Sequence, residues 1–152
     1  MGHLTAAPIE TVLEGKAPWR PKVAARIGFF LGPIAGALVV AASLRRMGLP
    51  DKAKKTVTYT VLLCIAFLIP WLLLVPEDAG INKLILVAIE GASYTVFPSI
   101  LREDYLNWRT AHPSVPARNG WAAVGWGILG LLIYSGLGLL VTTAADIHRR
   151  LR

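Results

Sequence analysis

Glu90 is the residue best placed to do chemistry in this sequence, because it interrupts a long apolar stretch. It is the one charged residue within the four apolar stretches, which are residues 27–44, 57–75, 85–100 and 122–142. A carboxylate inside a membrane costs about 2.5 kcal/mol or more to insert, so it usually faces protein or water and often serves function. Tyr94 lies one helical turn further on and is able to donate a hydrogen bond to it. Two interpretations follow: a proton- or cation-handling site, or a neutral hydrogen-bonded packing residue.

The other reactive side chains form no recognised catalytic or metal-binding pattern. The three histidines, His3, His112 and His148, are too dispersed to indicate a metal cluster. The single cysteine, Cys64, lies in an apolar stretch and is predicted to be a small core residue. No serine stands in a Gly-x-Ser-x-Gly context. The sequence therefore predicts no catalytic residue and no metal ligand, and it names no cofactor.

The composition indicates the surroundings of these residues. Of 152 residues, 55% are hydrophobic and 16% are charged, and the mean hydropathy is +0.55. A soluble domain carries charge on most of its faces, so long stretches without charge exclude a soluble enzyme. The net charge of +7 flanks the apolar stretches, where it attracts anionic lipid headgroups rather than nucleic acid. The sequence predicts an all-α, multi-pass protein of the cell's inner (plasma) membrane.

Four transmembrane spans and one further helix account for most of the chain. The flanking parts are a basic N-terminal tail, residues 1–26, with Trp19 at the lipid interface, and a basic C-terminal tail, residues 144–152. Between them lies a transmembrane domain over residues 27–143. Its predicted elements are spans at about 27–44, 56–75, 81–100 and 121–143 and an interfacial amphipathic helix at about 100–112.

Small residues in two of the spans predict close helix packing. Gly28, Gly32 and Gly36 recur at every fourth position, so on one helix they share a face. Pro33 removes a hydrogen-bond donor and is expected to kink that helix. Gly130 lies in the glycine-rich fourth span and is predicted to serve packing in the same way.

Basic residues crowd the connection between the first two spans. They are predicted to contact anionic headgroups, and they are Arg45, Arg46, Lys52, Lys54 and Lys55. Such residues normally set the orientation of a membrane protein, because loops rich in Lys and Arg stay in the cytoplasm.

The orientation stays open at this point. Four complete spans would place eight Lys and Arg residues on each side. The dense charge over residues 45–55 favours a cytoplasmic first loop with both termini outside. Alternatively, segment 27–44 is a helical hairpin, broken at Gly32 and Pro33, that enters and leaves on one side and is shielded by protein.

Motifs in the first half resemble those of a family of small bacterial inner-membrane proteins of unknown function. The family's pattern is similar to GGPLAG, then N-x-R/K-x-LG-x-P-x-KAKK. The matching segments are FFLGPIAG at 29–36, LRRMG at 44–48 and PDKAKKT at 50–56. Members often have a histidine before a loop and a tryptophan opening the last span, as His112 and Trp121 do here, although prolines 113 and 116 replace the family's glycines. The resemblance covers about two-thirds of the chain and implies a bacterial origin and four spans.

Three functions are compatible with these observations. The first is a non-enzymatic accessory or assembly subunit that packs, through its glycine-rich faces, against a membrane-protein partner or a second copy of itself. The alternative is a homo-oligomeric channel or a proton- or cation-handling protein that uses Glu90. The third is a lipid-modifying enzyme that uses His112 at the interface.

Overall fold

The regular structure is entirely helical in the part of the chain that the structure describes. The structure, a computed structural model, describes residues 17–74, 81–116 and 118–150, and the other residues of the predicted tails and of the second loop lie outside it. Its five helices confirm the predicted all-α class, and they are α1 (Pro21–Leu31), α2 (Pro33–Arg46), α3 (Pro50–Leu74), α4 (Ile81–Ala111) and α5 (Trp121–Arg150). Proline opens each of the first three helices, where its missing N–H has no helical partner to lose.

A break at Gly32 divides the segment that was predicted to be the first span. Gly32 has φ 89° and ψ 165°, a backbone conformation that residues with a Cβ atom rarely adopt. Helix α1 ends before it and α2 begins directly after it, at Pro33. Residues 27–44 therefore belong to two helices, as in the alternative of a hairpin broken at Gly32 and Pro33, and not to one helix kinked at Pro33, because Gly32 reverses the chain.

Helices α1 and α2 pack side by side as an antiparallel hairpin. A Cβ atom on Gly36 would lie 2.8 Å from the Cα of Gly28, so the two backbones touch where both residues lack side chains. At the open end of the hairpin, the Trp19 backbone N–H donates to the Ser43 hydroxyl over 3.3 Å. The Arg46 guanidinium donates to the Ala17 carbonyl over the same distance. The hairpin therefore enters and leaves at one end of the bundle, which we call the hairpin end.

Helix α2 lies at the centre of the bundle. Ten of its 14 residues are buried, and it contacts each of the other four helices. Val39, Val40 and Leu44 of α2 form the main core together with Phe97 and Leu101 of α4. Helix α1 is held between α2, α4 and α5. The hairpin thus supplies the core around which the long helices pack.

The hairpin stops about halfway along α5. Helix α5 begins at the hairpin end with Trp121, and Gly130 then packs so closely on Ala35 that a Cβ atom would lie 2.6 Å from the Ala35 nitrogen. Gly32, at the tip of the hairpin, faces the ring of Tyr134. At 1.5 Å per residue, Tyr134 lies about 20 Å from the start of α5. Because α5 continues to the opposite end of the bundle, the far end, the hairpin does not cross the bundle.

The other long helices connect the two ends. Helix α3 starts at the hairpin end, where Lys52 forms a salt bridge with Asp104 of α4. Helix α4 starts at the far end and continues through Pro98 to Ala111. The predicted interfacial helix at 100–112 is therefore the last part of α4 and not a separate element. The predicted fourth span is likewise the first three-quarters of a longer helix, α5.

One stretch of the described residues is long and apolar enough to cross a membrane. It is Trp121–Leu140 of α5, with 20 residues and a mean hydropathy of 1.8. Only 17% of this stretch is buried, which distinguishes it from the buried core helix of a soluble protein. The spans predicted at 56–75 and 81–100 remain predictions.

Alanine substitutions at a tightly packed glycine and at an open glycine should change the stability of the fold in opposite directions. Gly36→Ala should lower the free energy of unfolding by about 1–3 kcal/mol, because its new Cβ atom would overlap both Gly28 and the Phe97 ring. Gly91→Ala, in α4, meets open space and should raise it by about 0.5–1 kcal/mol, since alanine favours a helix interior. Unfolding of the two purified variants, followed by circular dichroism, measures both. Equal stability of the variants would contradict the hairpin contact.

Candidate functional site

Trp19 ties three parts of the chain together at the hairpin end. Its side chain is fully buried, although a position facing lipid was predicted for it. The indole Nε1–H donates to the carbonyl of Asn119 over 3.1 Å, and the backbone N–H donates to Ser43. The segment before α1, the end of α2 and the loop before α5 therefore meet at one residue.

Two arginines lie against the same indole ring. The Arg46 guanidinium is 4.0 Å from the ring centroid of Trp19 and that of Arg118 is 5.1 Å away, distances at which cations are attracted to the π system. Burial lowers the pKa of Arg46, and the positive charge of Arg118 lowers it further. The two positive charges are therefore close together at the Trp19 ring. Arg46 reaches the ring from α2, and Arg118 reaches it from the loop before α5.

A cavity of about 640 Å³ opens beside these arginines, between α2, α3 and α5. We call it the basic pocket, because four of its lining residues are cationic: Arg45, Arg46, Lys54 and Arg118. Its other lining residues are Leu38, Ala41, Ala42, Val57, Thr58 and Trp126. Among the residues that the structure describes, no carboxylate lies within ion-pair distance of the four cations. The pocket therefore combines a concentrated positive charge with an apolar wall.

The five basic residues predicted to contact headgroups separate into two groups. Arg45, Arg46 and Lys54 line the basic pocket. Lys52 is instead bound to Asp104, and Lys55 is exposed on α3 outside the pocket. No structural observation tests their predicted contact with lipid.

Two pocket residues escaped the sequence reasoning. Arg118 and Trp126 follow the pocket's α2 and α3 residues by more than 50 positions, and only the fold brings them there. The signal available in the sequence was weak: an arginine just before a span that opens with two tryptophans.

Glu90 lies in a second cluster, at the depth of the hairpin tip. It is half-buried on α4, about 20 Å along the helix from Asp104 at the hairpin end. Tyr134 of α5 interacts electrostatically with both Glu90 and Cys64, and Cys64 is buried on α3. We call these three residues the middle cluster. It brings together one polar or titratable side chain from each long helix, next to the end of the hairpin.

Tyr94 lies on the surface of α4 near the hairpin tip. It is 52% exposed, and its ring contacts Phe29 near the hairpin tip in an edge-to-face arrangement, with the centroids 6.1 Å apart. It lies one helical turn from Glu90, as the spacing requires, and Tyr134 of α5 is a second tyrosine close enough to Glu90 to interact with it electrostatically. The predicted hydrogen bond between Tyr94 and Glu90 stays a prediction. Sequence reasoning missed Tyr134 because it lies 44 residues from Glu90 on another helix.

The glycines fall into a packed and an open group. The packed glycines of the predicted set, Gly28, Gly36 and Gly130, contact other parts of this chain, and Gly32 makes the chain reversal. An added Cβ atom would meet nothing within 4 Å at the open glycines, which include Gly91, Gly125, Gly136 and Gly138. The open glycines, rather than the predicted ones, are therefore available for contact with another chain.

His112 lies at the end of α4 in the hairpin-end loop. Its ring stacks on Trp108 with the centroids 4.8 Å apart, and its Nδ1 lies 3.0 Å from the Trp108 carbonyl oxygen. The side chain is exposed. Within the described ranges, no three His, Cys, Asp or Glu residues are grouped closely enough to hold a metal ion.

Positive charge is distributed very unequally between the two ends of the bundle. Near the hairpin end the described residues include eleven Lys and Arg positions: Arg20, Lys22, Arg26, Arg45, Arg46, Lys52, Lys54, Lys55, Arg102, Arg109 and Arg118. Near the far end they include three: Lys83, Arg149 and Arg150. The described basic residues collect at one end because the hairpin returns the chain to the end from which it started.

Comparison with protein-family profiles, with curated proteins and with solved structures finds no match to this chain.

Proposed function

We propose that this chain is an integral protein of the bacterial inner membrane, with three crossing helices and one re-entrant hairpin. Residues 56–74, 81–100 and 121–140 each supply about the 20 residues that a crossing needs. Large apolar side chains on the outer surface support this placement: Leu63 is 62% exposed, Leu132 64% and Leu140 69%. Such side chains are costly in water and favourable against lipid tails. The hairpin fits as re-entrant backbone, since its arm α2 is mostly buried among the other helices and its arm α1 packs against α2, α4 and α5.

The unequal distribution of positive charge is the observation that carries the proposal. Eleven described Lys and Arg positions lie near the hairpin end and three near the far end. Under the positive-inside rule, the hairpin end is cytoplasmic and the end of α5 lies on the outer side of the membrane. The arrangement with three crossing helices thus predicts an orientation. Four complete spans predict none, because they place equal numbers of Lys and Arg residues on the two sides.

Within the membrane, the chain acts as a non-enzymatic accessory or assembly subunit. Gly125 and Gly136 of α5 leave open space where a side chain would stand, and they lie eleven residues apart, which places them on one face of the helix. Small residues of this kind let a second transmembrane helix approach closely. The partner is another membrane protein or a second copy of this chain, and the contact surface is the outer face of α5.

Labelling of single cysteines from outside the cell tests the membrane arrangement. In a Cys64→Ala background, we introduce Arg20→Cys, Ser114→Cys and Asp146→Cys, which are all exposed positions. A membrane-impermeant maleimide should label position 146 in intact cells, and positions 20 and 114 only after permeabilisation. The reason is that residues 20 and 114 share the hairpin end and residue 146 lies towards the far end.

The same experiment distinguishes the competing arrangement. Four complete spans would place residue 20 with residue 146 and residue 114 on the opposite side. That pattern, or labelling of all three positions in intact cells, would contradict the proposal.

A second candidate function is proton or cation handling through the middle cluster. The observation that favours it is the position of Glu90, which is half-buried on α4 at the depth where the hairpin ends beside Tyr134. At about 20 Å from the hairpin end, Glu90 would lie well within the hydrocarbon region of the membrane, where a carboxylate usually serves function.

Reconstitution into liposomes separates the two functions. For an accessory subunit, we expect the purified wild-type chain to give no proton flux under a membrane potential and a partner to co-purify with it in mild detergent. If Glu90 handles protons instead, flux appears and Glu90→Gln abolishes it. Glu103→Gln serves as the matched control, because Glu103 is an exposed acid at the hairpin end. Flux that Glu90→Gln removes and Glu103→Gln leaves intact would contradict the subunit proposal.

A further inference from the structure

The basic pocket lies where a lipid headgroup would meet the protein. Its cationic residues belong to the last turn of α2, the first turns of α3 and the loop before α5, which all lie at the hairpin end. In the proposed orientation this end faces the cytoplasm. Basic residues beside membrane helices attract anionic headgroups, and basic pockets between helices hold them in one position.

The basic pocket holds four cationic side chains that no carboxylate among the described residues neutralises. Arg46 and Arg118 are held against one indole ring, although they repel each other. Arg45 and Lys54 line the same cavity, and none of the four has a carboxylate partner among the described residues. An anion placed among them would relieve this repulsion. Arginine favours phosphate in particular, because its planar fork donates two parallel hydrogen bonds to phosphate oxygens.

The apolar side of the pocket indicates what the phosphate is attached to. Leu38 and Val57 line the cavity together with two alanines of α2 and with Trp126 of α5. A free phosphate ion would gain nothing from these side chains, whereas an acyl chain would bury apolar surface against them. Tryptophan is also the residue favoured at the level of lipid headgroups.

We propose that the basic pocket binds one anionic phospholipid, with its phosphate among Arg45, Lys54 and Arg118 and an acyl chain along α2 and α3. This inference rests on the proposed membrane placement, and it adds a specific ligand and site to it. The lipid would join the hairpin to α3 and α5 from the cytoplasmic side.

Two matched double variants test the site. Arg46 and Arg118 also hold Trp19, so their replacement risks the fold, and the test uses Arg45→Gln with Lys54→Gln instead. The control is Lys55→Gln with Arg102→Gln. It removes the same charge from exposed positions at the same end, outside the pocket.

Native mass spectrometry of the detergent-purified full chain measures lipid retention. With added phosphatidylglycerol, we expect one bound lipid per chain, and no comparable binding of phosphatidylcholine. The pocket variant should bind phosphatidylglycerol about 25-fold more weakly, since it loses two cations that each contribute about a factor of five, and the control should bind within about twofold of the wild type. Millimolar inorganic phosphate should not displace the lipid.

Three results would overturn the inference. Equal loss in the two variants would mean that diffuse surface charge binds the lipid. Equal binding of phosphatidylcholine would mean that the acyl chain alone is recognised. Displacement by inorganic phosphate would make the site one for free phosphate. None of these results would alter the cysteine labelling pattern, so failure of the lipid site and failure of the membrane arrangement are distinguishable.

Discussion

The close approach of Gly28 and Gly36 determines the architecture of this chain. Any side chain at Gly36 would overlap the backbone of Gly28 and the ring of Phe97, so the two arms of the hairpin come together only because both positions lack a Cβ atom. Gly32 supplies the chain reversal between them with a positive φ. Hydrogen bonds from Trp19 and Arg46 then close the open end. A continuous helix over the same residues would lose all of these contacts.

The hairpin has consequences at both of its ends. By returning the chain to its starting end, it brings the basic residues around residue 20, those of residues 45–55 and those of the last loop to one end of the bundle. The basic pocket exists because Arg118 can then reach the end of α2. At its tip, the hairpin ends beside Tyr134. The middle cluster, with one side chain from each long helix, therefore lies next to the hairpin tip. Charge distribution, pocket and middle cluster thus depend on one backbone contact.

The sequence predicts some of this architecture well. Apolar stretches of about 20 residues locate α3, α4 and α5 and the starts of α4 and α5, because helix formation there follows from local composition; the helices extend beyond these stretches by about 6 to 11 residues at their polar ends. For residues 27–44 the sequence left two alternatives, one spanning helix and a helical hairpin. Glycines at every fourth position are compatible with both, because they allow close packing on another helix and also close packing between the two helices of a hairpin. The choice depends on the φ angle of Gly32 and on long-range contacts, such as that of Trp19 with Asn119, 100 residues away. The periodicity of the sequence predicts neither the φ angle of Gly32 nor these long-range contacts. For this reason Trp19 was predicted to lie at a lipid interface, and the positions of Arg118 and Tyr134 were not predicted.

A distance across the hairpin tests its existence most directly. Spin labels at Lys22 and Arg45, both exposed positions, would report it by pulsed electron paramagnetic resonance on the full chain in detergent or in lipid nanodiscs. If residues 27–44 formed one straight helix, the two backbone positions would lie about 35 Å apart, at 1.5 Å per residue. The hairpin places them at the same end of two packed helices, so we expect a single narrow distribution centred well below that value. A distribution centred near 35 Å would contradict the hairpin, and with it the orientation and the lipid site.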